Sequence, residues 1–306
     1  TYIMAKIWNT TSSCDFFACS RPDPTEKFNP IHLPDNRVVG PDGRIRCANF
    51  YVDGYWSSKE IRDQFPKMVA PDQKIFDEWG KFVQKSKDFY VMPMIYGFHE
   101  GLWLSVGVST FSRIFRNPSI RKFYDSLIEE LYTVNLDICK RILEQDPNAI
   151  ISFTDDIAYK DRLMISPKQF DDLYAPHYKK LFDFIHNHGG KTMIHTDGQI
   201  SQLVPNYIAI GLDVLQCLEP AANVDIFELD RLYGDKITWK GNVDVSRLLA
   251  FGPEEEVIRV SKELLDRLKP NGGYIFGACT STEGWQDPKM LQAMWDTYNK
   301  FKYYNK

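Results

Sequence analysis

The sequence predicts an α/β protein built as a (β/α)8 TIM barrel, and three observations support this. Apolar runs suited to strands alternate with amphipathic runs suited to helices, as in a parallel sheet. The expected strands lie at residues 90–96, 149–154, 191–194, 208–218, 236–240 and 273–278. Each ends in a polar or reactive residue, and a rim supplied by many strands is typical of a barrel rather than of an open sheet. A barrel needs eight strands, so one or two more are expected around residues 3–7 or are missing.

The first 65 residues differ from the rest of the chain. Prolines interrupt residues 22–34, and an antiparallel hairpin is predicted from residues 38–39, a Gly-Pro-Asp-Gly turn at 40–43, and residues 45–52. Because so short a segment cannot form its own core, we expect a lid packed on the barrel, within a single domain over residues 1–306. The chain begins with Thr1, so we also expect that its N-terminus has been trimmed.

The helices are predicted from apolar spacing and from their end signals. Helices are expected over residues 71–87, 118–143 and 288–301. The sequence Ser-Pro-Lys-Gln at 166–169 predicts a capping box that opens a helix reaching residue 185, which Gly189 and Gly190 end. A further helix is predicted after Pro253, whose three following glutamates suit the positive end of a helix dipole.

Composition excludes several classes of protein. The net charge of −4 gives no basic footprint for nucleic acid, and no apolar run approaches the roughly 18 residues of a membrane span. The six cysteines are irregularly spaced, which favours reduced thiols over a disulfide framework, and most are expected to be small core residues. No signal peptide is recognised, and we expect a cytoplasmic protein.

The central stretch is Lys-Thr-Met-Ile-His-Thr-Asp-Gly at residues 191–198. His195 and Asp197 are two residues apart, so in an extended chain their side chains point to the same face. Gly198 then allows a sharp turn. A His and a carboxylate at the end of a strand indicate a catalytic or metal site. The alternative is that Asp197 caps the next helix and that His195 is a hydrogen-bonded core residue.

Candidate site residues follow from the same argument at the other strand ends. They are His99 and Glu100, Asp155 and Asp156, Glu219, Asn242 and Asp244, and Cys279. Imidazole, carboxylate and thiolate are zinc ligands, and three protein ligands with one open position are typical of catalytic zinc. Asp155 and Asp156 could instead be helix caps, and Cys279 could be an ordinary buried thiol.

Several motifs together resemble the uroporphyrinogen decarboxylase superfamily over roughly residues 90–300. They are Thr-Asp-Asp at 154–156, Leu-Met-Ile-Ser-Pro at 163–167, Tyr-Ala-Pro at 174–176, His-Thr-Asp-Gly at 195–198, Gly-Leu-Asp at 211–213, Gly-Asn-Val-Asp at 241–244 and Gly-Gly-Tyr-Ile at 272–275. Within the superfamily, the sequence is more similar to the corrinoid-linked methyltransferases. The resemblance implies a (β/α)8 barrel with its site at the C-terminal mouth.

The resemblance also implies a zinc site. Those methyltransferases and the related cobalamin-independent methionine synthases bind zinc through a His-x-Cys pair and a later Cys, and in the synthases a Glu lies between. When the ligand positions of the family are matched to this sequence, the implied metal ligands are His195, Asp197, Glu219 and Cys279. Asp197 stands where the family has a thiolate. Such a harder ligand set favours a methyl ether, alcohol or amine donor over a thiolate.

These expectations define a function and its alternatives. The methyl group of a small O- or N-methyl substrate would pass to a corrinoid protein docked over the mouth. A second copy of the chain is a further candidate partner. Catalysis is assigned to His99, Glu100, Asp155 and Asp156, and substrate binding to Tyr96, Asn242 and Asp244. The alternatives are a decarboxylase acting on uroporphyrinogen, although the Arg-rich N-terminal motif of those enzymes is missing, and a non-catalytic barrel that binds a small ligand.

Overall fold

The computed structural model of the chain describes residues 31–32, 37–39, 45–47, 56, 58–63, 65, 67–86, 90–270, 272–282 and 286–303. The chain divides into two compact units, Thr1–Ala149 and Ile150–Lys306. A single domain over residues 1–306, with residues 1–65 packed on a barrel, stays a prediction. The strand expected around residues 3–7 lies outside the described residues.

The predicted hairpin is present in the first unit. Strands β1 (Ile31–His32), β2 (Arg37–Val39) and β3 (Ile45–Cys47) form a three-stranded antiparallel sheet. In it Val39 pairs with Ile45, on either side of the predicted turn. The predicted second strand continued to residue 52, and residues 48–52 lie outside the described part of the chain.

The rest of the first unit is mainly helical. After a short helix α1 (Lys59–Arg62), its elements are α2 (Gln73–Lys85), strand β4 (Met94–Tyr96), α3 (Phe98–Phe111) and α4 (Pro118–Gln145). The α4 helix begins where predicted because the side chain of Asn117 accepts hydrogen bonds from two first-turn amides and Pro118 follows it. Residues 97–101 were predicted to be a loop, but α3 begins at Phe98, with Gly97 in an extended conformation at its N-cap.

The second unit contains five strands that are parallel and paired in chain order. They are β5 (Ile150–Thr154), β6 (Lys191–Thr196), β7 (Val214–Cys217), β8 (Thr238–Val243) and β9 (Tyr274–Ala278). Each overlaps a strand predicted from the sequence, and the predicted strand at 90–96 corresponds to β4. The strand predicted at 208–218 is confined to residues 214–217, because residues 208 and 209 end a helix. The predicted alternation of strands and helices is therefore confirmed.

Helices follow the strands of this unit as the sequence pattern required. They are α5 (Pro167–Leu173), α6 (Ala175–Asn187), α7 (Val204–Ala209), α8 (Ile226–Tyr233), α9 (Leu248–Phe251), α10 (Glu254–Leu268) and α11 (Pro288–Phe301). The capping box is formed, since Ser166 Oγ accepts from the Gln169 amide at 3.2 Å and the Ser166 amide donates to Gln169 Oε1 at 2.8 Å.

One predicted helix is divided into two. Residues 167–185 were expected to be continuous, but α5 ends at Leu173 and α6 begins at Ala175. The cause is Pro176, which lacks an N–H to donate to the carbonyl four residues earlier and whose ring clashes with that carbonyl. In the described part of the chain, no helix is both long and apolar enough to cross a membrane.

The two faces of the parallel strands differ in character, and this difference positions the site. One row of side chains, fully buried, is Phe153, Ile194, Leu215 and Trp239. The next row, paired across β5 to β9 and on the opposite face, is Thr154, His195, Gln216, Lys240 and Ile275. The side chains of this second row are partly exposed, and most are polar. Along the strands, this polar face continues to the residues at the carboxyl ends.

Candidate active site

The candidate site lies at the carboxyl ends of strands β5, β6, β7 and β9 of the second unit. His195 is the penultimate residue of β6, and Asp197 follows that strand directly. Cys217 is the last residue of β7, and Glu219 lies two residues further on. Cys279 directly follows β9. This is the edge at which parallel α/β folds carry their chemistry.

Two groups of potential metal ligands stand out among the described residues. The first, the thiol cluster, is Cys217, Glu219 and Cys279; the second, the acid cluster, is Asp156, His195 and Asp197. Within each cluster the ligand atoms lie within 4.8 Å of one another. The four metal ligands predicted from the sequence are thus divided between two clusters, and Cys217 and Asp156 join them.

Hydrogen bonds join the two clusters into one site. The thiol of Cys217 donates to Asp197 Oδ1 at 2.8 Å, and the Gly198 amide donates to Glu219 Oε2 at 2.9 Å. The Asp197 amide donates to Asp156 Oδ1 at 2.8 Å, and His195 Nε2 lies 3.5 Å from Asp197 Oδ1. Asp197 therefore contacts members of both clusters.

Cys217 was missed by the sequence interpretation, which regarded it as a core thiol. The backbone leaves the regular strand conformation here, with φ of 152° at Cys217 and 57° at Leu218. A usable signal was present, because Cys217 and Glu219 are two residues apart at a strand end, as His195 and Asp197 are. The same spacing argument would have placed both pairs at the site.

Gly241 makes room for the two cysteines. It lies on β8, between the strands that carry Cys217 and Cys279, and it pairs in register with Cys217. A Cβ atom at this position would lie 2.9 Å from the Cys217 carbonyl oxygen and 3.1 Å from Cys279 Cα, and its φ is +112°. Only glycine fits without strain, so Gly241 allows side chains from non-adjacent strands to meet.

The charges of the site perturb its titration. The contact with Cys217 lowers the pKa of the Cys279 thiol, whereas the same contact, burial and the nearby Asp197 raise the pKa of Cys217. Burial, followed by the negative charge of Asp197, raises the pKa of Asp156. Burial and the same charge also raise the pKa of Glu219, against the effect of the Gly198 amide. Perturbed groups of this kind are typical of functional sites.

Comparison with known proteins decides the family. The family described as uroporphyrinogen decarboxylase (URO-D) matches residues 110–301, which is more than half of the chain. The chain belongs to the uroporphyrinogen decarboxylase family. The resemblance inferred from the motifs is confirmed, and the family match includes every member of both clusters. No curated protein matches the sequence.

A solved structure supports the fold. The chain is similar to a methyltransferase from Methanosarcina mazei, with a TM-score of 0.62 and 13% sequence identity. The match covers 85% of this chain and 72% of that one. At this identity the likeness shows the fold alone. Together with the family match, it confirms the α/β TIM-barrel class predicted from the sequence.

The structure does not bring Asp155 into either cluster of the candidate site. Neighbouring residues of an extended chain point to opposite faces, so Asp155 and Asp156 diverge. Asp155 is fully buried, and its carboxylate accepts a hydrogen bond from the hydroxyl of Tyr178 at 2.7 Å. The pair that the sequence suggested is therefore divided between a buried contact and the acid cluster.

Asn242 and Asp244 lie beside the site, and their observed contacts are with the backbone. Asn242 Nδ2 donates to the Leu218 carbonyl at 2.5 Å. Asp244 Oδ1 accepts from the amides of Ser246 and Arg247 at 2.6 and 2.9 Å. These contacts hold the ends of β7 and β8 in place. Substrate binding by the two residues stays a prediction.

The remaining predicted residues belong to the first unit. His99 has no exposed surface, and its ring makes an edge contact with Phe111 at a centroid distance of 5.2 Å. Burial lowers the pKa of His99 to about 3, so its ring is neutral at neutral pH. The Tyr96 carbonyl accepts from Asn135 Nδ2 at 3.0 Å, and Glu100 lies in the first turn of α3. The catalytic and substrate-binding roles assigned to these residues stay predictions.

Proposed function

We propose that this chain is a metal-dependent methyltransferase that moves a methyl group between a small O- or N-methyl substrate and a corrinoid carried by a partner protein. Membership of the uroporphyrinogen decarboxylase family and the fold shared with a methyltransferase support this. The observation that carries the proposal is the thiol cluster, two cysteines and a glutamate converging at the strand ends.

The thiol cluster fits zinc by the chemistry of its donors. Two sulfurs and one carboxylate oxygen lie within 4.8 Å of one another, and zinc accepts these ligands in tetrahedral sites. Cys217, Glu219 and Cys279 would hold the ion and leave a fourth position open. A zinc ion there would polarise the oxygen or nitrogen atom that carries the methyl group.

Nearby groups can accept the thiol protons that metal binding displaces. Both cysteines must lose their protons to act as ligands. Cys279 loses its proton more readily than a free thiol, because its contact with Cys217 lowers its pKa. Asp197 Oδ1, 2.8 Å from Cys217 Sγ, is placed to accept the second proton. In this proposal Asp197 borders the metal site rather than binding the ion.

We assign protonation of the leaving atom to Asp156. A methyl group leaves oxygen or nitrogen more easily when that atom gains a proton, which is general acid catalysis. Burial and the charge of Asp197 raise the pKa of Asp156, so it keeps its proton to higher pH than a free aspartic acid does. His195 stands beside Asp197 in the same cluster and can return a proton after the reaction.

Metal content tests the ligand assignment. We expect purified protein to hold roughly one zinc per chain, as a single catalytic site requires. Cys217→Ser and Cys279→Ser should lose it, and in cobalt-substituted protein the near-ultraviolet sulfur-to-cobalt absorption should weaken. Cys139→Ser is the matched control, since Cys139 is a fully buried thiol of the first unit.

A second variant separates this ligand set from the one predicted from the sequence. His195→Ala should retain zinc but transfer methyl groups more slowly, because His195 belongs to the acid cluster. Loss of zinc from His195→Ala would favour the set His195, Asp197, Glu219 and Cys279. Wild-type protein without metal after growth in zinc would contradict both assignments.

Methyl transfer itself can be measured with reduced cobalamin as the acceptor. Methyl ethers and methylamines are supplied as donors, and methylcobalamin is followed by its absorption spectrum. We expect transfer from at least one donor and its loss in Cys279→Ser. Zinc-loaded protein that transfers no methyl group from any donor, either to free cobalamin or to a corrinoid protein, would contradict the proposal.

The second candidate function is decarboxylation of uroporphyrinogen, the reaction named in the family description. The carboxylates at the strand ends count against it, because Asp197 and Glu219 would repel a polycarboxylate substrate. Incubation with uroporphyrinogen, followed by oxidation and measurement of product fluorescence, tests this function. Decarboxylated product formed by metal-free protein would establish it and displace methyl transfer.

A further inference from the structure

A lysine lies on the same face of the sheet as the acid cluster and has no role so far. Lys240 is in β8, where it pairs in register with Gln216, and Gln216 pairs with His195. Paired residues of adjacent parallel strands point to one face, so Lys240 and His195 share a face. Trp239 points the opposite way, fully buried, and its Nε1 donates to Asp230 of α8 at 3.0 Å.

Lys240 lies close to the thiol cluster along the sheet. Lys240 directly precedes Gly241, against which Cys217 and Cys279 pack. One residue of a strand spans about 3.3 Å, and two strand spacings amount to roughly 10 Å, so the lysine backbone is near both clusters. The cysteines and acids lie at the strand ends, and Lys240 lies further inside the sheet.

Lys240 differs from other basic residues of the second unit in its environment. Lys262 and Arg259, for example, pair with acids on the helix surface. None of the hydrogen bonds or ion pairs among the described residues engages Lys240 Nζ, although its charge interacts with Cys217. Burial lowers its pKa, because an ammonium group loses hydration there. A partly buried, unpaired ammonium costs free energy that an anion could offset.

The charges of this face are also ordered along the strands. Negative groups lie at the strand ends, in Asp197 and Glu219, and the positive group of Lys240 lies further in. A small molecule with one anionic end would be repelled by the rim and attracted inward. Its opposite end would then lie toward Cys217 and Cys279.

We infer that Lys240 binds a carboxylate of the methyl donor, so that the donor is a small methylated acid, either a methyl ether or a methylamine. This inference rests on the proposed function and specifies its substrate class. The carboxylate pairs with the ammonium group of Lys240, and the methyl-bearing atom faces the thiol cluster. Lys240 is thus a residue that determines specificity.

Binding of matched ligands tests the inference. Methoxyacetate is compared with methoxyacetamide, 4-methoxybenzoate with 4-methoxybenzamide, and N,N-dimethylglycine with its amide, by calorimetry on zinc-loaded protein. A hydrogen bond to a charged group is worth enough to expect that the best acid binds roughly tenfold or more tightly than its amide. Lys240→Met should reduce this ratio to near one, and Lys240→Arg should keep most of it.

The control is Lys236→Met, since Lys236 is exposed and lies just before the same strand. It should leave the acid-to-amide ratio unchanged. Zinc content and melting temperature of each variant show whether it is folded. If no acid binds more tightly than its amide, or if Lys240→Met keeps the preference, the inference is wrong. Weaker zinc binding in Lys240→Met with an unchanged ratio would make Lys240 a counter-ion of Cys217, which also overturns it.

The two proposals fail in different ways. Suppose that methyl groups are transferred from neutral ethers and that acids are preferred neither in transfer nor in binding. This result would contradict the inference about Lys240 and leave the proposed function standing. Acids that bind through Lys240 to a protein that holds no zinc and transfers no methyl group would instead remove the proposed function. The calorimetric ratio does not depend on turnover, so it is readable in both cases.

Discussion

Single residues decide how the candidate site is assembled, and Cys217 is the clearest example. Its thiol contacts Asp197 of the acid cluster and belongs to the thiol cluster with Glu219 and Cys279. The sequence resemblance places Asp197 where related methyltransferases have a cysteine. Cys217, which comes from the next strand, supplies a thiol beside that position, so the site has two sulfurs despite the substitution.

Gly241→Ala tests the packing that brings the cysteines together. The added methyl group would meet backbone atoms of Cys217 at 2.9 Å, and alanine rarely adopts the φ of +112° found here. We expect the free energy of unfolding to fall by about 1–3 kcal/mol and zinc binding to weaken. Denaturant titration and metal analysis measure these effects.

Gly277→Ala is the control for this change. Gly277 lies on the neighbouring strand β9, and a Cβ there would have nothing within 4 Å. Its stability and zinc content should stay close to those of the wild type. Equal effects of the two substitutions would show that the close approach at Gly241 does not hold the cysteines in place.

At the scale of elements, the start of β6 and the start of β7 are joined by one carboxylate. Asp213 Oδ2 accepts from the Thr192 amide at 2.8 Å and from the Thr192 hydroxyl at 2.9 Å, and it lies 2.6 Å from His186 Nε2. Lys191 Nζ is 3.2 Å from Oδ1. These contacts connect α6 to both strands and hold the register that aligns the strand ends.

This carboxylate gives a prediction about pH. Burial by itself would raise the pKa of Asp213, but hydrogen bonds from His186, Thr192 and Lys191 outweigh it and lower the pKa. A lowered pKa means that the stabilisation is present above the pKa of the unfolded chain, about 3.9, and is lost as the pH falls through the folded value.

Asp213→Asn should therefore lower the free energy of unfolding at neutral pH by about 1–3 kcal/mol. The difference from wild type should shrink at acid pH, which denaturant titration at several pH values would measure. Asp161→Asn is the control, because Asp161 forms an exposed ion pair with Arg162. A constant difference at all pH values would contradict the assigned linkage.

A second prediction at this scale concerns the start of α5. Ser166→Ala removes the side chain that accepts from the Gln169 amide, and N-cap losses of this kind cost about 0.5–2 kcal/mol. Thermal or chemical denaturation would measure the loss. Ser119→Ala, an exposed serine in the first turn of α4, should change stability little. If both variants match the wild type, the capping box contributes nothing measurable.

For the whole molecule, metal binding should appear as stability. A ligand that binds only the folded state adds about 2.7 kcal/mol when its concentration is a hundred times its Kd. Zinc should therefore raise the melting temperature of the metal-free protein, and a chelator should lower that of the loaded protein. Both shifts should vanish in Cys217→Ser and Cys279→Ser. A zinc shift that persists in these variants would place the ion elsewhere.

Much of the fold is predictable from the sequence because it depends on local patterns. The strands β5 to β9, the capping box at Ser166 and the start of α4 at Pro118 all follow from periodicity and from end signals within a few residues. The two wrong helix predictions also have local causes. The break at Tyr174 follows from Pro176, and the helix start at Phe98 was hidden because Gly97 suggested a loop.

By itself, the sequence determined the family, the order of the strands and the fact that His195, Asp197, Glu219 and Cys279 lie at strand ends. Only the tertiary structure decided which of these side chains meet. Asp156 joins His195 while Asp155 turns toward Tyr178, and Cys217 meets Cys279. The physical reason is that contacts between strands depend on their order, their register and the space left by Gly241. No pattern within one segment of the chain encodes all three.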